Sequence, residues 1–504
     1  MIESESVIAE LQRVGQRVVE QLTYSPDEPL LFSSGLFLFL FLGFTLVYML
    51  LQRTQTLRIL FVTLFSYYFY YKSSGFYFFL LAIVTVSDYY IAKLISAPRR
   101  SRLVARLLLA LSLAVDLGVL AYFKYTNFFC ATWADIVGGN FQPYDIFLPV
   151  GISFFTFQSL SYTIDVYRGK MQPLDRLTDY AFFVSFFPQL VAGPIVRARD
   201  FVPQIRRPIV VTDEMFGRAV YLICAGLLKK CVISDYISLN FVDRVFDNPA
   251  LYSGVENLLG AYGYTLQIYC DFSGYSDMAI GLALLLGFRF PQNFDSPYQS
   301  RSITEFWRRW HISLSTWIRD YIYISLGGNR KGRVRQYVNL MITMLLGGLW
   351  HGASLNFVAW GGLHGLALAV HKFFSQQVMH HDRDYRSRGW RGFGAALLTF
   401  HFVVFCWVFF RNATFAASFC MLSRIVGDFH PELFTQVVCG YSYIVMLMVV
   451  GYVVHFLPIG IEQRLSRLFA RGGVVVGAVA VALVIYVVIQ VKSSTIQPFI
   501  YFQF

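Results

Sequence analysis

Long apolar runs dominate the chain. From Leu30 to Leu51 it reads LLFSSGLFLFLFLGFTLVYMLL, without a single charge. About 20 such residues form a helix that crosses the hydrocarbon core of a bilayer. Comparable runs lie near 76–94, 103–123, 147–164, 180–196, 215–233, 256–286, 355–370, 393–410, 442–457 and 473–491. Shorter ones, near 57–71, 337–349 and 416–427, fall under the usual spanning length. The pattern predicts an all-α, polytopic integral membrane protein, with roughly 11 transmembrane helices plus re-entrant and interfacial helices. Backbone that is not helical at membrane depth has to be covered by protein, so short broken runs imply a buried cavity.

The first 29 residues differ. Val7, Ile8, Leu11, Val14, Val18, Val19 and Leu22 recur at helical spacing, and Pro26 stops the pattern. This predicts an amphipathic helix lying on the membrane or on a partner. Its acidic start is wrong for a signal peptide. The expected organisation is therefore a lead-in over 1–29 and a transmembrane domain over 30–504, with no linker or repeat. The longest polar stretch, about 287–336, falls within the core motifs at 271–371.

Composition agrees with the pattern. Only 14% of residues are charged, 56% are hydrophobic and 18% aromatic, against about 25% charged in a soluble domain. The formal net charge of +12 marks cytoplasmic loops rather than nucleic-acid binding. Arg99, Arg100, Arg102 and Arg106 form one basic loop; Arg308, Arg309, Arg319, Arg330, Lys331, Arg333 and Arg335 form another. Counting back from the first through three helices places the N-terminus outside. The basic stretch 197–207 breaks simple alternation, which a re-entrant segment at 180–196 would restore. The seven cysteines are scattered, with no CxxC and no Cys/His cluster, so neither disulfides nor a metal site is expected.

The central block starts DFSGYSDMAIGLALLLGFRF at Asp271. It reads as an apolar segment broken by Gly274 and carrying Asp271 and Asp277. Two readings stand for these acids: functional groups within the membrane, or hydrogen-bond partners for a broken helix end. Ser302 and Glu305 then have the spacing of a capping box. The following helix would put Trp307, His311, Leu314 and Ile318 on one face, as an interfacial amphipathic helix with His311 at its buried edge. His311 is there either a structural partner or a catalyst. GGNRKG (327–332) lacks the Walker spacing. It reads as a positive-inside loop or as a basic turn that greets a donor's phosphates.

His351 follows an apolar run, between Trp350 and Gly352. Gly347, Gly348 and Gly352 allow neighbouring helices to come close. A histidine in such surroundings loses hydration, which favours the uncharged imidazole, the form a general base needs. It is either that base or a core histidine bonded to a carbonyl. His364, 13 residues further on, reads as structural.

The stretches QNFDSPYQSRSITEFWRRWHISLSTWIRDYIYISLGGNR and NLMITMLLGGLWHGASLNFVAWGGLHG resemble the membrane-bound O-acyltransferases. Within that family they are most similar to the membrane subunits of bacterial alginate O-acetylation systems. LPVGISFFTFQSLSYTIDVYRG (148–169), FPQLVAGPIVR (187–197) and the ending PFIYFQF (498–504) resemble them too. The likeness spans about 30–504; the 1–29 helix lies outside it.

The resemblance implies a ring of helices around a thinned centre with a tunnel through it. It implies that His351 is the catalytic histidine and that His311 supports it, with Trp350 and Trp310 beside them and Asp271 and Asp277 as tunnel or supporting residues. It also implies acetyl-CoA as a cytoplasmic donor, with no bound cofactor and no metal, and a multi-pass location in a bacterial inner membrane. A periplasmic SGNH-type acetyltransferase would be the partner and an exported polysaccharide such as alginate the final acceptor. No stretch of the sequence is polar and long enough for such a soluble domain, so the partner is expected to be separate. Tyr501, in the aromatic tail, is either an acyl relay or, with Phe499, Phe502 and Phe504, an interfacial anchor. Cellulose, peptidoglycan or teichoic acid (the last by D-alanylation) would suit the same scaffold. A transporter without chemistry is the alternative of another class, although no paired halves are visible.

Overall fold

A computed structural model describes residues 2–26, 28–382, 385–458 and 460–491. Among these residues the regular structure is helical throughout, with no strand. Among the described residues, four helices are long and apolar enough to cross a bilayer: Gln55–Ile95, Arg102–Val137, Gly389–Arg411 and Gly460–Val491. A fifth is added if Pro431–Gly440 and Ser442–Phe456, bent by 93°, form one span. Gly35–Leu50 and Phe415–Gly427 are apolar but shorter. The run near 180–196 divides into Leu177–Ser185, Phe187–Leu190 and non-helical chain. This break falls where the basic stretch 197–207 disturbs the charge alternation.

The chain forms two compact units, 1–123 with 145–210, and 124–144 with 211–504. In the first, the helix Ile2–Leu22 ends where the sequence predicts, before Pro26. Its exit is tied down by Gln55–Ser74: Tyr68 Oη donates to the Leu22 carbonyl at 3.0 Å, and Lys72 Nζ to that of Thr23. Val14, Val18 and Val19 stay exposed. Phe187, at the broken segment, fits among Phe44, Phe65 and Phe69, with ring centroids 5.4, 5.2 and 5.8 Å away. Its backbone N–H donates to Ser66 Oγ at 3.1 Å. A polar side chain thus satisfies a donor that an unbroken helix would have satisfied itself.

In the second unit, Gly254–Leu285 is one helix of 32 residues. The expectation of a break at Gly274 is therefore corrected. A complete capping box starts the helix: Ser253 accepts from the Glu256 N–H, and the Glu256 carboxylate accepts from the Ser253 N–H. Gly274 instead lets another helix in. A Cβ there would lie 2.8 Å from the Gly226 carbonyl oxygen, and one on Gly226 would lie 2.6 Å from that of Gly274. Asp213–Leu227 and Gly254–Leu285 meet backbone to backbone at that point. Arg333–His351 and Leu355–Phe373 repeat the device: a Cβ on Gly348 would be 2.2 Å from the Phe357 carbonyl oxygen and 3.2 Å from Gly361 Cα. Small residues at such crossings allow close packing, and here they fix the helix that ends in His351.

Candidate active site

The predicted continuous helix through His311 is broken. Ile303–Arg309 ends, Trp310 is extended, and His311 takes the left-handed conformation (φ 42°, ψ 55°) before Ile312–Ile318 begins. The periodic pattern is interrupted because upstream chain replaces the helical hydrogen bonds. The Asp295 N–H donates to the Arg309 carbonyl and the Ile312 N–H to the Asn293 carbonyl, both at 2.9 Å. His311 is consequently fully buried rather than at an interfacial edge. A non-glycine residue in this region costs about 1–3 kcal/mol, and such strain clusters at working sites. The capping box forms by half: Ser302 Oγ accepts from the Glu305 N–H at 3.2 Å, but the Glu305 carboxylate turns to the Arg301 N–H at 3.0 Å.

Asn293 organises the kink. Its Oδ1 accepts from the Ser313 N–H at 3.2 Å and from Ser313 Oγ at 2.9 Å, while its Nδ2 donates to Ser276 Oγ at 3.1 Å. His311 Nδ1 lies 3.1 Å from the same Oδ1. An amide oxygen only accepts, so Nδ1 carries the hydrogen and Nε2 keeps the lone pair. The ring packs edge-on against Phe272 at 4.5 Å.

His351 closes Arg333–His351 and is also buried. Its ring meets Trp350, Trp360 and Phe410 at 5.0, 5.0 and 5.3 Å. Trp350 lies 6.1 Å from His311, so one indole touches both imidazoles. Trp310 packs 5.0 Å from Trp407 and 5.7 Å from Phe306, and shares Phe294 with His311, at 5.1 and 6.3 Å. His364 is packed by Trp360 at 4.8 Å and Trp307 at 5.2 Å.

Asp271 and Asp277 meet cations. Lys230 Nζ binds Asp271 and, at 2.8 Å, Asp235; Lys229 Nζ binds Asp277 at 2.7 Å. Neither carboxylate serves a broken helix end, since the helix is whole. In GGNRKG, the Gly327 and Gly328 N–H groups donate inside the turn, to Ile324 and Tyr323 carbonyls at 3.0 and 2.9 Å. They are spent on the loop and do not form a phosphate cradle. Tyr501 lies outside the described residues.

Sequence reasoning missed Asn293, Lys124 and Tyr125. Lys124 Nζ donates to the carbonyls of Trp350 and His351 at 2.7 and 3.0 Å, and Tyr125 Oη to that of Leu349 at 2.7 Å. The signal available was a lysine directly after the apolar run 103–123.

A family model, that of the membrane-bound O-acyltransferases, matches residues 120–411. This chain belongs to that family. It is 45% identical over 390 residues to a probable alginate O-acetylase AlgI of Pseudomonas aeruginosa, covering 76% of this chain and 72% of the relative. It is 38% identical over 503 residues to a probable alginate O-acetylase AlgI of Pseudomonas putida, covering 94% and 100%. A peptidoglycan O-acetyltransferase of Helicobacter pylori is 37% identical over 430 residues, covering 79% and 80%. The protein is thus a membrane-bound acyltransferase, and the transporter reading is set aside.

Proposed function

We propose that the protein takes acetyl from acetyl-CoA at the cytoplasmic face of a bacterial inner membrane and passes it across for O-acetylation of an exported polysaccharide such as alginate. This reading includes roughly 11 membrane-spanning helices, with shorter and broken helices counted beside the long ones. His351 is the general base, and the observation that carries this is its burial at a helix end, with Trp350 bridging to His311. A hydroxyl oxygen attacks the thioester carbonyl, and its proton passes to the imidazole. The new C–O bond forms, the C–S bond breaks, and the proton leaves on the thiol of CoA. His311, with the hydrogen on Nδ1 held by Asn293, orients the donor. Trp350 shields both rings, and Trp310 with the lysine-paired Asp271 and Asp277 supports the scaffold. A cavity of about 190 Å³ at the helix leading to His311, where Arg308, Lys372 and Arg386 outnumber the one carboxylate, Glu305, supports an anionic donor.

Tyr501 is the proposed relay, receiving acetyl before a periplasmic SGNH-type partner transfers it to the polymer. His351→Ala should abolish acetyl transfer while insertion is retained; an active variant would end the assignment. Mass spectrometry after turnover with labelled acetyl-CoA should find acetyl on the C-terminal peptide, and its absence would remove the relay. The Helicobacter pylori relative favours peptidoglycan as the second choice of acceptor.

A further inference from the structure

The helix Arg333–His351 ends without the usual glycine device. Helices commonly close by a left-handed residue whose N–H returns to the last turn, but Gly352 is extended (φ −161°, ψ 156°). The last turn therefore leaves carbonyls to be satisfied by other groups. Inside a protein of this class, water is scarce and an orphaned carbonyl is costly.

Two consecutive side chains meet that need. The carbonyls of Leu349, Trp350 and His351 accept from Tyr125 and Lys124 at 2.7, 2.7 and 3.0 Å. Lys124 Nζ also lies 5.9 Å from the Trp350 ring centroid, over its face. The chain makes both side chains available through a π turn, Ala121–Tyr125, before the helix Thr126–Val137 resumes. Such turns recur where a helix is bent to serve a function.

We propose that Lys124 and Tyr125 are positioning residues for the acyl transfer: they clamp the carbonyl end of the helix and thereby hold the His351 imidazole in register. The inference rests on His351 being the base. Lys124 touches neither donor nor acceptor in this account; it acts through the His351 backbone. Its two bonds to successive carbonyls fix the orientation of the last peptide planes, from which the imidazole hangs. Tyr125 holds the carbonyl one residue earlier, so the frame is set at three points.

The test uses the full chain in lipid nanodiscs, with acetyl-CoA as probe and free thiol release as the readout. Lys124→Met should lower kcat about 100-fold with little change in KM, the cost expected when a catalytic group is misplaced by about 1 Å. Lys124→Arg, which keeps N–H donors at the end of a long side chain, should recover most of the loss, and Tyr125→Phe should fall between. A second readout does not depend on activity: carbethoxylation of His351 by diethylpyrocarbonate, mapped by mass spectrometry, should be faster in Lys124→Met than in the parent. Unchanged kcat and unchanged labelling in Lys124→Met would overturn the proposal. So would equal losses in the Met and Arg variants. If His351→Ala stays active, the reading of His351 as base falls, whereas the labelling result still decides whether Lys124 holds that residue in place.

Discussion

Lys230→Met is the substitution expected to damage the fold most for its size. The Lys230 and Asp271 side chains are only 4% and 3% exposed, whereas Asp235, which shares the ammonium group, is 22% exposed. Removing the lysine takes from buried Asp271 the cation that offsets its charge, while the more exposed Asp235 can still reach polar surroundings. Breaking a buried pair from one side costs about 3–5 kcal/mol, or roughly two to three and a half powers of ten in the folding equilibrium. Asp271→Asn should cost less, because Lys230 keeps Asp235. The double variant Lys230→Met/Asp271→Asn should recover to within about 1–2 kcal/mol of the parent, since a neutral amide is cheaper to bury than a carboxylate. Reversible unfolding in mixed detergent, followed by tryptophan fluorescence, measures all three. The reasoning fails if the lysine variant stays within about 1 kcal/mol of the parent, or if the double variant is no better than the single. It also fails if Asp271→Asn removes activity with unchanged stability, which would make the carboxylate a working group rather than a partner.

Three further outcomes are expected. Gly348→Ala should cost about 1–3 kcal/mol by overpacking and depress thiol release, because its Cβ would sit 2.2 Å from the Phe357 carbonyl oxygen; Gly362→Ala, whose Cβ would be 3.6 Å from Leu345, should be tolerated. Asn293→Ala should cost about 1–3 kcal/mol by leaving the donors of the His311–Ser313 turn without their acceptor, with a larger loss in activity than in melting temperature accounts for. In the exposed turn at 428–432, the hydrogen bonds that His430 donates to the Glu432 and Asp428 carboxylates raise its pKa above its usual 6.5. The turn's protection against hydrogen exchange should then be complete below pH 6.5 and fade as pH rises through the raised value. His430→Gln should erase that dependence, and a flat profile in the parent would refute it.

The apolar runs were legible because each helix follows directly from a local stretch too hydrophobic for water. The lead-in helix, the Ser302 cap and the burial of His351 were legible for the same reason: their signals lie within a few residues. The kink at His311 was not, because the pattern Trp307, His311, Leu314, Ile318 is faultless as a helix. It yields to partners that are distant in sequence, Asn293 through 18 residues and Asp295 through its bond to Arg309. The lysine partners of Asp271 and Asp277 lie 41 and 48 residues away, and Lys124 reaches 227 residues to the His351 carbonyl. No periodicity encodes such pairings. Gly274 misled in the opposite sense: glycine reads as a breaker, yet it serves a close crossing within an intact helix.

These features share one physical origin. An imidazole buried in a continuous helix has its backbone committed and its side chain fixed on one face. His311 and His351 both sit where a helix is interrupted, one at a left-handed residue and one at a last turn. Interruption redirects the side chain, but in a membrane protein it also strands backbone groups that water cannot serve. Each interruption therefore needs dedicated partners, and each has them: Asn293 and Asp295 at the first, Lys124 and Tyr125 at the second. The polar residues around the two histidines are thus required by the backbone before any chemistry is considered. A substitution among them should reach the reaction through geometry, lowering kcat while the aromatic walls of Phe272, Trp350 and Trp360 stay in place.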